Sequence, residues 1–225
     1  MRKPVALVVV AALVGVGGWL AYDNFFATEA DAKFSLDAKP ISSRQPAKTP
    51  SKLAGKWTAD ATSEAGYRIV EDTFVGEKTV TGRTSTVTGT VTLSDDAITA
   101  TEITVDLASM VSDQPLRDRA FRNSIMKTAE FPTAVFTQTE PTTIALVPPD
   151  GTPLTVDVTG TLTVKGVARP ATARVESVMN GDVITVVGTI DVKLADFGID
   201  TPTLPGISTA RDSAVVEFKL VLKKA

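Results

Sequence analysis

Thr155-Val156-Asp157-Val158-Thr159-Gly160-Thr161-Leu162-Thr163-Val164 decides the fold. Its even positions are apolar or glycine and its odd positions are Thr or Asp. A period of two is that of a strand with one dry face and one wet face. The same reading holds on either side. Downstream, Ile184, Val186, Gly188, Ile190, Val192 and Leu194 alternate, and so do Val216, Phe218, Leu220 and Leu222, with Glu217, Lys219 and Lys223 outside. Upstream, Val87, Gly89, Val91 and Leu93 form one such set, and Ile103, Val105 and Leu107 another. Turn chemistry separates them at Ser94-Asp95-Asp96, Pro148-Pro149-Asp150-Gly151, Lys165-Gly166 and Asn180-Gly181-Asp182. The body from Leu53 onward holds 30 threonines, a composition suited to half-exposed strands.

The pattern gives about eight strands, each roughly eight to eleven residues against the usual five or six. Glycines at 89, 160 and 188 suit strands that bend sharply into a barrel. An immunoglobulin-like sandwich usually has shorter strands and no internal helix. One stretch breaks the alternation. Ser112 or Asp113 can cap a helix, Pro115 fits its first turn, and Leu116 to Met126 carries helix formers. On a wheel Leu116, Ala120, Phe121 and Ile125 share one half, while Asp118, Arg119, Arg122 and Asn123 share the other. Arg117 falls inside the apolar half and needs a partner there. The candidates are a barrel carboxylate such as Asp196, which would pin the helix, or a ligand head group.

Composition excludes several classes of function. The chain has no cysteine and no histidine, which removes disulfides, zinc, haem and iron–sulfur sites, a lipoprotein anchor, and Cys or His nucleophile systems. The net charge of −3 conceals a split: up to Lys52 there are 7 basic and 4 acidic residues, and beyond it 16 and 22. An acidic body without a basic stripe does not favour nucleic acid. Ser124-Ile125-Met126-Lys127 matches S-x-x-K, but the S-D-N and K-T-G partners are missing. Ala54-Gly55-Lys56 lacks a phosphate loop's first glycine, and Asp95-Asp96 and Asp196 lack calcium-loop spacing. No enzyme signature survives, and no metal site or cofactor is expected.

The N-terminal end differs from the body. Arg2 and Lys3 precede an uncharged apolar run from Pro4 to Tyr22. Its length suits a membrane span, with Trp19 and Tyr22 at an aromatic belt and the basic end inside. Residues 1–22 therefore read as a membrane anchor. The competing reading is a cleaved signal sequence, for which Ala30-Asp31-Ala32 is a poor site. Residues 23–52, with prolines at 40, 46 and 50, read as a flexible linker, and 53–225 as the exported domain.

Four stretches of that domain, in order, carry a resemblance. They are Trp57-Thr58-Ala59-Asp60 with Ser63 to Ile69; Arg117-Asp118 through Arg122-Asn123 to Phe131-Pro132-Thr133-Ala134-Val135-Phe136; Gly160 to Pro170; and Asp196-Phe197-Gly198-Ile199 with Val216-Glu217-Phe218. Together they resemble the YceI-like family of exported lipid-binding proteins. The chain departs from it at Phe131, where many members have Tyr, and at Ala120, where a His often follows the Arg-Asp pair. The resemblance implies an all-β, extended lipocalin-like barrel of eight antiparallel strands with one short helix, holding a polyisoprenoid or similar amphiphile. Phe74, Phe121, Phe131, Phe136, Phe197 and Phe218 then become candidates to line a lipid cavity rather than plain core. Val91, Ile103, Val105, Leu116, Ile125, Leu162, Val164 and Ile190 join them from the apolar faces. Arg117, Asp118, Arg122 and Asp196 are candidates for head-group contact or helix pinning. The expected function is non-catalytic carriage of a polyisoprenoid, isoprenoid quinone or fatty amphiphile outside the cytoplasmic membrane. The alternative is a tethered protein-interaction domain with a solid interior.

Overall fold

Strands that alternate threonine with valine can close on themselves, because each keeps one dry face to enclose and one wet face to expose. The computed structural model describes residues 29–36, 53–74, 76–145, 148–204 and 208–225. Along the chain run β1 (Gly55–Ala59), β2 (Glu64–Thr73), β3 (Gly76–Thr84), β4 (Val87–Leu93), β5 (Ala97–Asp106) and β6 (Val111–Ser112). Helix α1 (Pro115–Ala120) follows. Then come β7 (Thr133–Gln138), β8 (Thr142–Thr143), β9 (Leu154–Val164), β10 (Val167–Asn180), β11 (Val183–Lys193), β12 (Thr203–Leu204) and β13 (Ser208–Lys224).

The pairings resolve these pieces into eight long staves. β1 and β2 lie one after the other along β13, and β4 and β3 continue the sheet beside them. The sheet then passes through β5, β7, β9, β10 and β11 back to β13, every neighbour antiparallel. This is a closed up-and-down barrel. The break between β1 and β2 is held by Ser63, whose buried hydroxyl accepts the Val221 N–H at 3.0 Å. Beside it Lys223 and Thr62 bond the Asp60 carboxylate, lowering its pKa to about 2.

Two of the tight bends have an aromatic ring laid against a glycine. Gly188 stands opposite Phe218, and Gly82 opposite Tyr67. A Cβ at either glycine would meet the facing ring at 2.4 Å, so each ring lies flat on the wall rather than across the lumen.

The helix differs from the expectation. It is α-helical only over Pro115–Ala120 and widens into a π turn at Phe121–Ile125. Neither Ser112 nor Asp113 caps it; Gln114 occupies that position without a side-chain cap bond. The hydroxyl and N–H of Ser112 instead bond the Asp118 carboxylate, at 2.6 and 2.8 Å, and Asp113 is bonded by Arg117 and by Lys78. Asp118, placed on the wet half by the wheel, is therefore buried.

The anchor expected over residues 1–22 lies outside the described residues. Among the described residues no helix is long and apolar enough to cross a membrane. Of the expected linker, residues 29–36 are described, and they lie against the outer wall: the Arg68 guanidinium donates to the Asp31 carbonyl at 2.7 Å.

Candidate functional site

The inward faces of the staves carry mostly Val, Ile and Ala, too little volume to fill the barrel. The result is a cavity of about 800 Å³. It runs the length of the molecule, from Leu53, Pro148 and Met179 at one end to Leu116, Phe197 and Pro202 at the other. Eight-stranded barrels either pack their interior or hold a small ligand, and this one is hollow. The lining residues that are also exposed are Leu116, Ala120, Ser124 and Thr203 at the α1 end and Thr152 at the opposite end. Four of these five mark an opening at the α1 end.

Alternation supplies most of the lining. Val91, Ile103, Val105, Phe136, Leu162, Val164, Ile190 and Phe218 all face the cavity, from six different staves. Leu116, Phe121 and Ile125 face it from the helical segment, and Phe197 from the short 3-10 turn after β11.

Two candidates do not line it. Phe74 is 70% exposed, because it follows Thr73, the last residue of β2 to pair with β3. Phe131 packs outside, where a Cβ at Gly166 would lie 2.8 Å from its ring.

The polar groups sit near the mouth. Among the described residues Glu71 and Arg117 are the only charged ones in the lining, and they face each other with Arg117 Nε 3.7 Å from Glu71 Oε1. Arg117 also bonds Asp113, whose carboxylate lies 3.1 Å from Lys78 Nζ. The cluster is neutral, and all four side chains are largely buried. Asp196, named as a candidate partner of Arg117, is exposed and makes no such pair; the carboxylates that meet Arg117 come from β2 and from the turn before α1. Asp118 bonds Ser112, and Arg122 donates to the Met110 carbonyl at 3.1 Å, so both tie the helical segment to the barrel wall.

Tyr67 joins this end of the site. Its ring stacks on Phe121 at 5.3 Å, and burial pushes its phenol well above the usual range. Sequence reasoning passed over Tyr67 and Glu71. Tyr67 sits within a quoted motif, but nothing local marked either one as facing inward. Val156, Val158, Val186 and Leu220 also line the cavity and were legible from alternation alone.

Among the described residues no cluster of acidic side chains has the arrangement to hold a metal ion. The donor inventory is a paired guanidinium, a paired carboxylate, a phenol and a few hydroxyls and amides. That inventory suits orienting one polar group at the mouth of an apolar tunnel.

A family model for the YceI-like domain matches residues 57–222. No curated protein matches by sequence. Among solved structures, the chain is similar to a polyisoprenoid binding domain from Saccharophagus degradans implicated in plant cell wall breakdown. That match has a TM-score of 0.59 and 19% identity, and covers 75% of this chain and 98% of that one. It is also similar to Burkholderia cenocepacia BcnA, with a TM-score of 0.56 and 21% identity, covering 72% and 98%.

Proposed function

The chain belongs to the YceI-like family, and from that footing we propose that its barrel binds one long-chain apolar lipid, a polyisoprenoid, isoprenoid quinone or fatty amphiphile, and carries or sequesters it outside the cytoplasmic membrane. The observation that carries the proposal is the cavity of about 800 Å³, continuous along the barrel and, among the described residues, charged only at one ion pair. A hydrocarbon tail gains ~0.8 kcal/mol per buried methylene, so affinity comes from length and needs no specific polar contact. The Saccharophagus relative, a polyisoprenoid binding domain by description, supports this ligand class.

In this reading Val91, Ile103, Phe136, Leu162, Ile190 and Phe218 hold the tail, while Tyr67, Gln114 and Arg117 face the head group at the mouth. Arg117 is already matched by two carboxylates, so a neutral carbonyl or hydroxyl head group fits better than an added anion. Nothing in the site implies catalysis, and no cofactor is required. The solid-interior interaction domain loses its main support, because the interior is hollow.

The experiment is mass spectrometry of an organic extract of the purified protein. A prenyl or other long-chain lipid near one per chain supports the reading, and a protein that neither carries nor takes up such a lipid refutes it.

A further inference from the structure

Residues 29–36 were expected to be free linker, yet they are fastened to the barrel. The fastening begins at Glu217, on the outer face of β13 and only 2% exposed. Its carboxylate receives Arg68 at 3.1 Å and Arg83 at 2.8 Å. Both guanidiniums then reach outward to the segment. Arg68 donates to the Asp31 carbonyl at 2.7 Å, and Arg83 donates to the Ala32 carbonyl. Asp31 also receives the Thr81 hydroxyl at 3.2 Å, its N–H donates to the same oxygen at 3.2 Å, and the Arg83 guanidinium lies 4.0 Å from the centre of the Phe34 ring. Guanidiniums rooted in a buried carboxylate are held in place before the segment meets them, which lowers the entropic cost of docking.

The direction of this strap is also fixed. Glu29 and Ala30 lie with Thr79 and Asp113, while Ala32 and Phe34 lie at Arg83. The strap thus runs alongside β3 in the same sense as β3. The chain enters it from the end of the barrel that holds the β2–β3 hairpin tip, α1 and the α1 mouth. Only six residues, 23–28, separate Glu29 from the apolar run 4–22. Even fully extended they reach ~20 Å, against ~100 Å for an undocked linker of thirty residues. At the same end stand two of the large apolar side chains that are exposed among the described residues, Phe74 at 70% and Leu116 at 62%. Large exposed apolar side chains at the end that carries the mouth of an apolar cavity suit contact with a lipid surface.

We infer that the strap turns the α1 mouth of the barrel toward the bilayer holding the N-terminal run, with Phe74 and Leu116 seated in the lipid interface, so that the cavity opens onto the membrane. This rests on reading residues 4–22 as a membrane span. The mouth then exchanges its ligand with the bilayer directly, without exposing the tail to water.

The chain has no native cysteine, so single labels are clean. Phe74→Cys, Leu116→Cys and Asp95→Cys, the last in the turn at the far end, are each labelled with a polarity-sensitive fluorophore. The full chain is reconstituted in phosphatidylcholine–phosphatidylglycerol vesicles containing nitroxide lipids. The labels at positions 74 and 116 are quenched several-fold more than the label at 95. Adding Asp31→Ala with Phe34→Ala, which leaves the barrel untouched, removes that difference while the protein still floats with the vesicles. Equal quenching at all three sites in a floating protein overturns the inference and leaves the anchor standing. So does a strap variant that behaves as the parent. A chain that does not float overturns the anchor and the inference together, while lipid recovered in the extract would still support the cavity.

Discussion

Arg117 stands at the mouth of an apolar tunnel with Glu71 on one side and Asp113 on the other. A guanidinium so placed stabilises the fold chiefly by sparing two carboxylates from being buried unpaired. Arg117→Met leaves Glu71 and Asp113 with one fewer cation between them and costs about 1–3 kcal/mol. Thermal unfolding of the lipid-free protein measures this as a clear fall in Tm; an unchanged Tm contradicts the structural role. Tyr67 gives a second test. Burial raises its folded-state pKa above the unfolded value of ~10. The stability tied to its neutral phenol is therefore full below pH ~10 and is lost as pH rises toward the folded value. In a Tyr22→Phe background, where Tyr67 is the sole tyrosine, tyrosinate absorbance appears only together with unfolding. A smooth titration near pH 10 in a folded barrel contradicts the burial. The sequence placed Arg117 on the inward face and demanded a partner for it. The identity of that partner was not readable, because Glu71 is brought to it by pairing across the barrel and not by spacing along the chain. Asp196 was a reasonable carboxylate in the wrong place.

At the scale of elements, alternation made β4, β5, β9, β11 and β13 legible, β9 and β11 almost residue by residue. β9 extends the quoted stretch by one residue, and β11 stops one residue short of Leu194, which opens the 3-10 turn. Alternation did not pick out β2, β3, β7 or β10, the β2–β3 turn, or the form of the helical segment. Phe74 was named with the other phenylalanines of the domain, and nothing in the sequence marked it as a turn residue beyond the last pair of β2 and β3. Asp118 looked wet because a wheel says nothing of β6, whose Ser112 covers it. The glycines were read as bends, and their further use is to seat rings. Gly188→Ala drives a methyl into Phe218, which must swing into the lumen, so both bound lipid and stability fall, the latter by about 1–3 kcal/mol. Leu162→Trp adds volume to a hollow space instead. Lipid loading falls while the unfolding midpoint moves little; severe unfolding with unchanged lipid would mean a packed core. The linker was the larger surprise. A mixed Ala, Lys, Ser and Asp segment has no pattern of its own, and its order comes from Arg68 and Arg83 across the barrel surface.

At the scale of the whole molecule, a closed meander solves two problems at once. It leaves no long edge strand to aggregate, and it encloses a tunnel whose wall is the apolar half of every stave. Among the described residues Glu71 is the one acidic side chain that lines the tunnel, and it is matched within its cluster. The fold class and the apolar faces were thus readable from the chain, whereas hollowness was not, since the same residues would line a filled barrel. The account's central claim is that this space holds a lipid, and native mass spectrometry tests it most directly. The purified protein carries a single adduct with the mass of a long-chain lipid. The adduct disappears on delipidation, returns when a prenyl lipid is added, and is reduced in Leu162→Trp. A protein that shows only its polypeptide mass before delipidation, and takes up no prenyl lipid afterwards, would contradict the account.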